Sequence, residues 1–292
     1  MSGSEKILSF GPGGALHGIL LEPEPENRRA GAPAVLTWNV GLHHHVGPYR
    51  YFVDLARSLA ASGFTCLRFD ISGMGDSDVN RDDARGDTER AQADVREAMV
   101  ALAKERGFER FVLVGFCSGV DAAHTLSLND ERVAGMVYVE GYAFRTNGFY
   151  LRYARRFVNR NRWERLLRKK YPKWFGDDAQ LSTTEEERER IYVRDYPTPE
   201  KLRADIRAMV ERGKQLLLLY VGGDTDYNHR TQFLEMIGER SELPNLDLEY
   251  LPQADHTFFL ERDRRLSVQR ITDWMITHFG GKASNWQKRA AE

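Results

Sequence analysis

Only two cysteines, Cys66 and Cys117, occur in 292 residues. They are too few for a disulfide framework, and no CxxC or Cys/His spacing offers a zinc site. No apolar run is longer than the six residues of Leu216 to Val221, far short of the ~18–20 a membrane helix needs. The opening residues, Met1 to Lys6, lack the basic, apolar and small-residue layers of a secretion signal. An excess of either charge is missing as well. The 42 basic and 43 acidic side chains leave a formal net charge of −1, which disfavours nucleic acid as a partner. No internal repeat or low-complexity segment is present. What remains is 41% hydrophobic residues, enough for a full core. The expectation is a soluble, cytoplasmic protein without a membrane span.

Short apolar runs alternate with amphipathic stretches, the pattern of a mostly parallel sheet with helices on both faces, in the α/β class. Ala34–Trp38, Thr65–Phe69, Arg110–Val114, Val133–Glu140, Gln215–Val221 and Leu246–Leu251 read as strands. An antiparallel pair near Ile7–Phe10 and Ala15–Leu21 precedes them. Helices are expected over Tyr51–Ser62, Thr88–Arg106, Ser118–Leu128 and Ser267–Phe279, with Gly63 and Gly107 as C-caps of the first two. One stretch, Phe144 to Lys214, has no strand-like run. Within it Arg145–Gly176 carries eight Arg and three Lys against the single Glu164, interleaved with aromatics that include Tyr153 and Trp163. An acidic run from Asp177 follows. The expected organisation is an α/β core of residues 1–144 and 215–292 with a helical cap, residues 145–214, over the strand ends.

Chemistry concentrates at Val114-Gly-Phe-Cys-Ser-Gly119, which follows a strand and opens a helix. The pattern Gly-x-nucleophile-x-Gly centres on Cys117, between Gly115 and Gly119. A nucleophile on so sharp a turn needs glycine neighbours that let other chain approach. The helix beyond it favours a thiolate and offers N–H groups to an oxyanion. Partners follow in the order nucleophile, acid, histidine. Asp224 and Asp226 both lie in the loop after the Gln215–Val221 strand, and His256 follows the Leu246–Leu251 strand. Asp224 follows its strand most directly, whereas Asp226 fits a Gly223-x-x-Asp226 spacing. Glu140, at the end of another strand, is a third candidate acid or a pocket-wall carboxylate. His43, His44 and His45 are consecutive; in an extended segment they point alternately, so no metal is expected and His44 is read as lining the pocket mouth. Asn39, Phe116, Tyr153 and Trp163 complete the expected substrate-binding set. Cys66 reads as inert core.

Several segments together carry a family resemblance: Asn39-Val-Gly41, Val46-Gly-Pro-Tyr-Arg50, Leu67 to Ser77, Gly115 to Asp121, the Arg-rich stretch around Trp163, and Ala254-Asp-His-Thr-Phe258. On them the chain resembles α/β-hydrolase-fold proteins of the serine aminopeptidase and lysophospholipase-like superfamily. Within that group it is most similar to bacterial hydrolases associated with exosortase and other biosynthetic gene clusters. The departure is cysteine where serine usually stands, as in dienelactone-hydrolase-like enzymes and some thioesterase domains. The resemblance implies an oxyanion hole of backbone N–H groups from Ser118 and from Val40 or Gly41. It implies that Asp70-x-Ser-Gly-x-Gly-Asp-Ser77 is a structural turn.

The expected activity is hydrolysis of an ester or thioester of a small-molecule metabolite through a Cys-His-Asp triad, with no cofactor. Acyl transfer or cyclisation to an amine, alcohol or thiol, and a catalytically silent binding protein, stand as alternatives. The basic segment suits an anionic substrate, or one borne on coenzyme A or an acyl carrier protein. A homodimer is compatible with all of these.

Overall fold

The computed structural model describes residues 3–41, 43–78, 85–155, 196–223 and 226–281. Its centre is one eight-stranded sheet, β1 (Ser4–Phe10), β2 (Leu16–Glu22), β3 (Ala34–Thr37), β4 (Cys66–Phe69), β5 (Phe111–Phe116), β6 (Val133–Val139), β7 (Gln215–Val221) and β8 (Leu246–Leu251). The spatial order is β1-β2-β4-β3-β5-β6-β7-β8. β2 runs antiparallel to both its neighbours, and every other pairing is parallel.

Side chains alternate between two buried layers along each central strand, as the pleat requires. On one face Val112, Val114, Val137, Val139, Leu217 and Leu219 pack with α1 (Tyr51–Ala61) and a final helix, Glu261–Phe279. On the other, Leu113, Met136, Tyr138, Leu216 and Leu218 pack with α2 (Asp87–Arg106) and α3 (Gly119–Asn129). The final helix begins six residues ahead of its expected start at Ser267. Its first turn is charged, and Glu261 and Asp263 stabilise the helix N-terminus through its dipole rather than through an apolar face.

Between β6 and β7 the chain forms α4 (Asn147–Arg155) and α5 (Pro199–Glu211). Thr198 caps α5 by accepting the Lys201 N–H at 3.2 Å, with Pro199 at the first helical position. α5 lies inside the segment expected to be a cap, yet Leu202, Ile206 and Met209 are fully buried in the core layer beside α3. Its Asp205 also bonds His124 of α3 at 3.0 Å. The α5 stretch is therefore core. Residues 156–195, Trp163 among them, lie outside the described residues. A short helix α6 (Gln232–Met236) precedes β8, and the final helix is α7. No helix among the described residues is long and apolar enough to cross a membrane.

Candidate active site

Parallel strands end on one edge of the sheet, and three of those ends supply the site. β5 delivers Cys117 onto the turn into α3 with φ +48°. The backbone there is crowded. A Cβ on Gly115 would stand 2.7 Å from the Val120 Cα, and one on Gly119 would stand 3.2 Å from the Asn39 carbonyl oxygen. Glycine is required at Gly115 for the turn to close.

β6 delivers Glu140, also left-handed at φ +53°. Its carboxylate is fully buried and accepts the Val221 N–H at 2.6 Å through Oε1. Its Oε2 stands 2.9 Å from His256 Nδ1. β8 delivers His256 on a loop shaped by Asp255, whose carboxylate accepts the N–H groups of Thr257 and Phe259. Gly223 lies under this loop: a Cβ there would be 2.8 Å from the Asp255 Cα. The Phe116 ring packs 5.8 Å from the His256 ring and is itself buried with Tyr51, Phe52 and Phe258. Phe116, expected to meet substrate, is buried and packs against the histidine ring.

His256 hydrogen-bonds the Cys117 side chain as well as Glu140. These bonds, with Cys117 contributing most, outweigh the opposing effect of burial and push its pKa up to about 10. The imidazole therefore holds a proton at neutral pH. An imidazolium bonded to a thiol favours the thiolate, the nucleophilic form.

The carboxylate on the histidine is thus Glu140. Asp226, expected from its spacing, instead accepts Arg145 Nε at 2.7 Å. Asp224 lies outside the described residues. The Gly222-Gly223 backbone serves the approach of the histidine loop, and among the described residues the carboxylate bonded to His256 comes from β6, a contact that chain order alone does not reveal.

The loop after β3 sits against the nucleophile turn, with the Gly41 N–H donating to Ser118 Oγ at 2.8 Å. That bond engages Gly41, one of the two alternatives expected for the second oxyanion donor beside Ser118; Val40 is the other. Asn39, expected to meet substrate, is buried. It donates to Asp70 Oδ1 at 2.6 Å and to the His43 carbonyl at 2.9 Å, and its Oδ1 accepts the Ile71 N–H at 2.7 Å. Its side chain is a brace for this loop. Asp70 is fully buried; bonds from His45 and the Asp76 N–H overcome the burial that opposes its charge and hold its carboxyl below the usual range. A Cβ on Gly75 would fall 2.2 Å from this carboxylate, so the glycine-rich segment after β4 is a turn wrapped around Asp70. His44 is half-exposed, its ring centroid 3.9 Å from that of His45. Tyr153, on α4, is partly exposed and stacks on the buried Phe149 at 5.9 Å.

Residues 16–268 match the sequence pattern of the alpha/beta hydrolase family. Similar solved structures include an esterase of Pyrococcus furiosus, 14% identical with TM-score 0.58, covering 95% of this chain and 92% of that one. A member of a/b serine hydrolase without lid from Xanthomonas campestris is 16% identical with TM-score 0.56, covering 97% of each chain. Alpha/beta hydrolase domain-containing protein 10 from mouse is 17% identical with TM-score 0.51, covering 94% of this chain and 99% of that one. A search of curated proteins finds no match. At these identities the likeness to solved structures is one of fold.

Proposed function

The chain belongs to the alpha/beta hydrolase family, and we propose that it is an esterase-type acyl hydrolase acting through a Cys117 thioester. The observation that supports this most is His256, bonded on one side to Cys117 and on the other to Glu140. In this reading the acid is Glu140, in place of Asp224 or Asp226.

The Cys117 thiolate attacks the acyl carbonyl, and the electron pair moves onto the carbonyl oxygen. The Ser118 N–H, at the start of α3, and an N–H from Val40 or Gly41 receive that oxygen. Gly41 becomes available when the Ser118 hydroxyl turns away. The tetrahedral intermediate collapses to a thioester as the alcohol or thiol leaves with the His256 proton. Water then gives a proton to His256 and attacks the thioester carbonyl. The C–S bond breaks, the acid is released, and the thiolate–imidazolium pair is restored. Glu140 orients the imidazole and stabilises its cation throughout.

The resemblance to biosynthetic-cluster hydrolases points to a small-molecule metabolite as the acyl donor, and the Arg-rich segment supports an anionic or carrier-borne one. Intact-mass measurement with acyl thioesters and activated esters tests the reading. A mass gain on Cys117 that decays in water supports it. Decay only with added amine or alcohol replaces hydrolase with acyltransferase. A chain that never gains mass and turns over nothing is a silent binder.

A further inference from the structure

A second polar cluster lies beside the loop that carries Val40 and Gly41. One nitrogen each of His44 and His45 and one oxygen each of Asp70 and Asp76 all fall within 4.8 Å of one another. His44 Nε2 stands 3.1 Å from Asp76 Oδ2 and 3.3 Å from Asp70 Oδ2, while His45 Nδ1 stands 2.6 Å from that same Asp70 oxygen. Consecutive histidines converge here because the chain is not extended. The His43 N–H returns to the Val40 carbonyl at 2.9 Å and the Gly47 N–H to the His44 carbonyl at 2.8 Å. Two tight turns thus bring two imidazoles to one pair of carboxylates.

The charge balance is unusual. Among the described residues neither Asp70 nor Asp76 has a lysine or arginine partner; their ion-pair partners are these histidines. The donor set, two imidazole nitrogens and two carboxylate oxygens, is one that zinc takes in tetrahedral sites at ~2.0–2.2 Å, with donor atoms about 3.3 Å apart. Of the six separations among the four donor atoms, His44–Asp76 at 3.1 Å and His44–Asp70 at 3.3 Å already match, and all lie within 4.8 Å. The His45–Asp70 contact has to open by about 0.7 Å as one hydrogen bond gives way to two metal bonds. The supporting groups are in place, since Asp70 also receives the Asn39 amide and the N–H groups of His45 and Asp76. His44 and Asp76 are 40% and 66% exposed, so an ion reaches the cluster without unfolding it.

We propose that His44, His45, Asp70 and Asp76 form a binding site for a divalent transition-metal ion of the zinc class. The ion braces the loop after β3 through Asp70 and Asn39, and takes no part in the acyl chemistry. The test uses full-length protein carrying Cys117→Ala, so that the Cys117–His256 pair cannot compete for metal. Metal-stripped protein is titrated with zinc by calorimetry, and with cobalt(II) by visible absorption. The expected result is one zinc per chain, tetrahedral cobalt bands, and a zinc-dependent rise in Tm. Adding His44→Gln or Asp76→Asn, both at exposed positions, should weaken zinc binding by at least about tenfold. Absence of stoichiometric binding in the Cys117→Ala protein overturns the site. So does undiminished affinity after either second substitution, which places the ion elsewhere.

Discussion

Cys117 and Glu140 stand side by side at the ends of adjacent parallel strands, each one residue past the paired Phe116 and Val139. Both backbones are left-handed, and the Cys117 N–H donates to the Val139 carbonyl at 2.8 Å. Holding a non-glycine residue in that region costs about 1–3 kcal/mol. Two such residues on neighbouring strand ends, with one histidine bonded to both, mark a place where the fold accepts strain to aim side chains.

The first expectation follows from that pairing. Glu140→Gln keeps the shape but removes the charge that steadies the His256 cation, so kcat should fall by roughly 10³–10⁴-fold. Asp226→Asn, which alters the pair with Arg145, should change kcat less than about threefold, the scale of a surface ion pair. Steady-state kinetics on one activated ester compares the two, and the reverse ranking would remove Glu140 from the mechanism.

Cys117→Ala should reduce turnover by at least ~10³-fold while the protein still melts cooperatively. Cys117→Gly should be equally inactive yet melt at a higher temperature, since glycine occupies φ +48° without strain. A drop in Tm for the glycine variant would contradict the strain argument.

The histidine gives a pH signature. Its pKa in the folded chain, about 10, lies above the ordinary 6.5. The stability it draws from Cys117 and Glu140 is fully present below pH 6.5 and is lost as pH climbs through 10. Cys117 alkylation by iodoacetamide should accordingly be fast at neutral pH, where a free thiol is mostly protonated. Glu140→Gln should move the alkaline limb of activity to lower pH. An unmoved limb in that variant would assign it to another group.

Gly223→Ala tests the support of the histidine loop from outside the chemistry. The added methyl meets Asp255 backbone at 2.8 Å, so the loop has to shift. Both Tm and kcat should fall, the latter by about 10²-fold if His256 moves by an ångström. Wild-type kinetics would mean that the loop adjusts without disturbing the ring.

The sequence made much of this legible because its strongest signals are local. Runs such as Gln215–Val221 are strands along their whole length, and Gly115 and Gly119 bracket Cys117 as sterics demand. The contact between Glu140 and His256 was obscure for the opposite reason. Glu140 meets His256 across 116 positions of chain, through strand register that no local spacing records. The histidine triplet misled because alternation assumes an extended backbone, whereas Val40–His43 forms a turn. α5 was hidden by its surroundings: Leu202, Ile206 and Met209 have helical spacing, but they sit in a segment whose composition reads as insertion.

Cys66 has a practical consequence. It sits fully buried in β4, paired with Leu21 on one side and Val35 on the other, and burial pushes its thiol up to about 12. In the native fold it is silent to thiol reagents that reach Cys117. With Cys117 replaced, the rate at which Cys66 becomes labelled is a clock for the opening of the sheet itself. That clock reads the exchange between closed and open chain directly, at a strand that frayed ends and surface loops do not disturb.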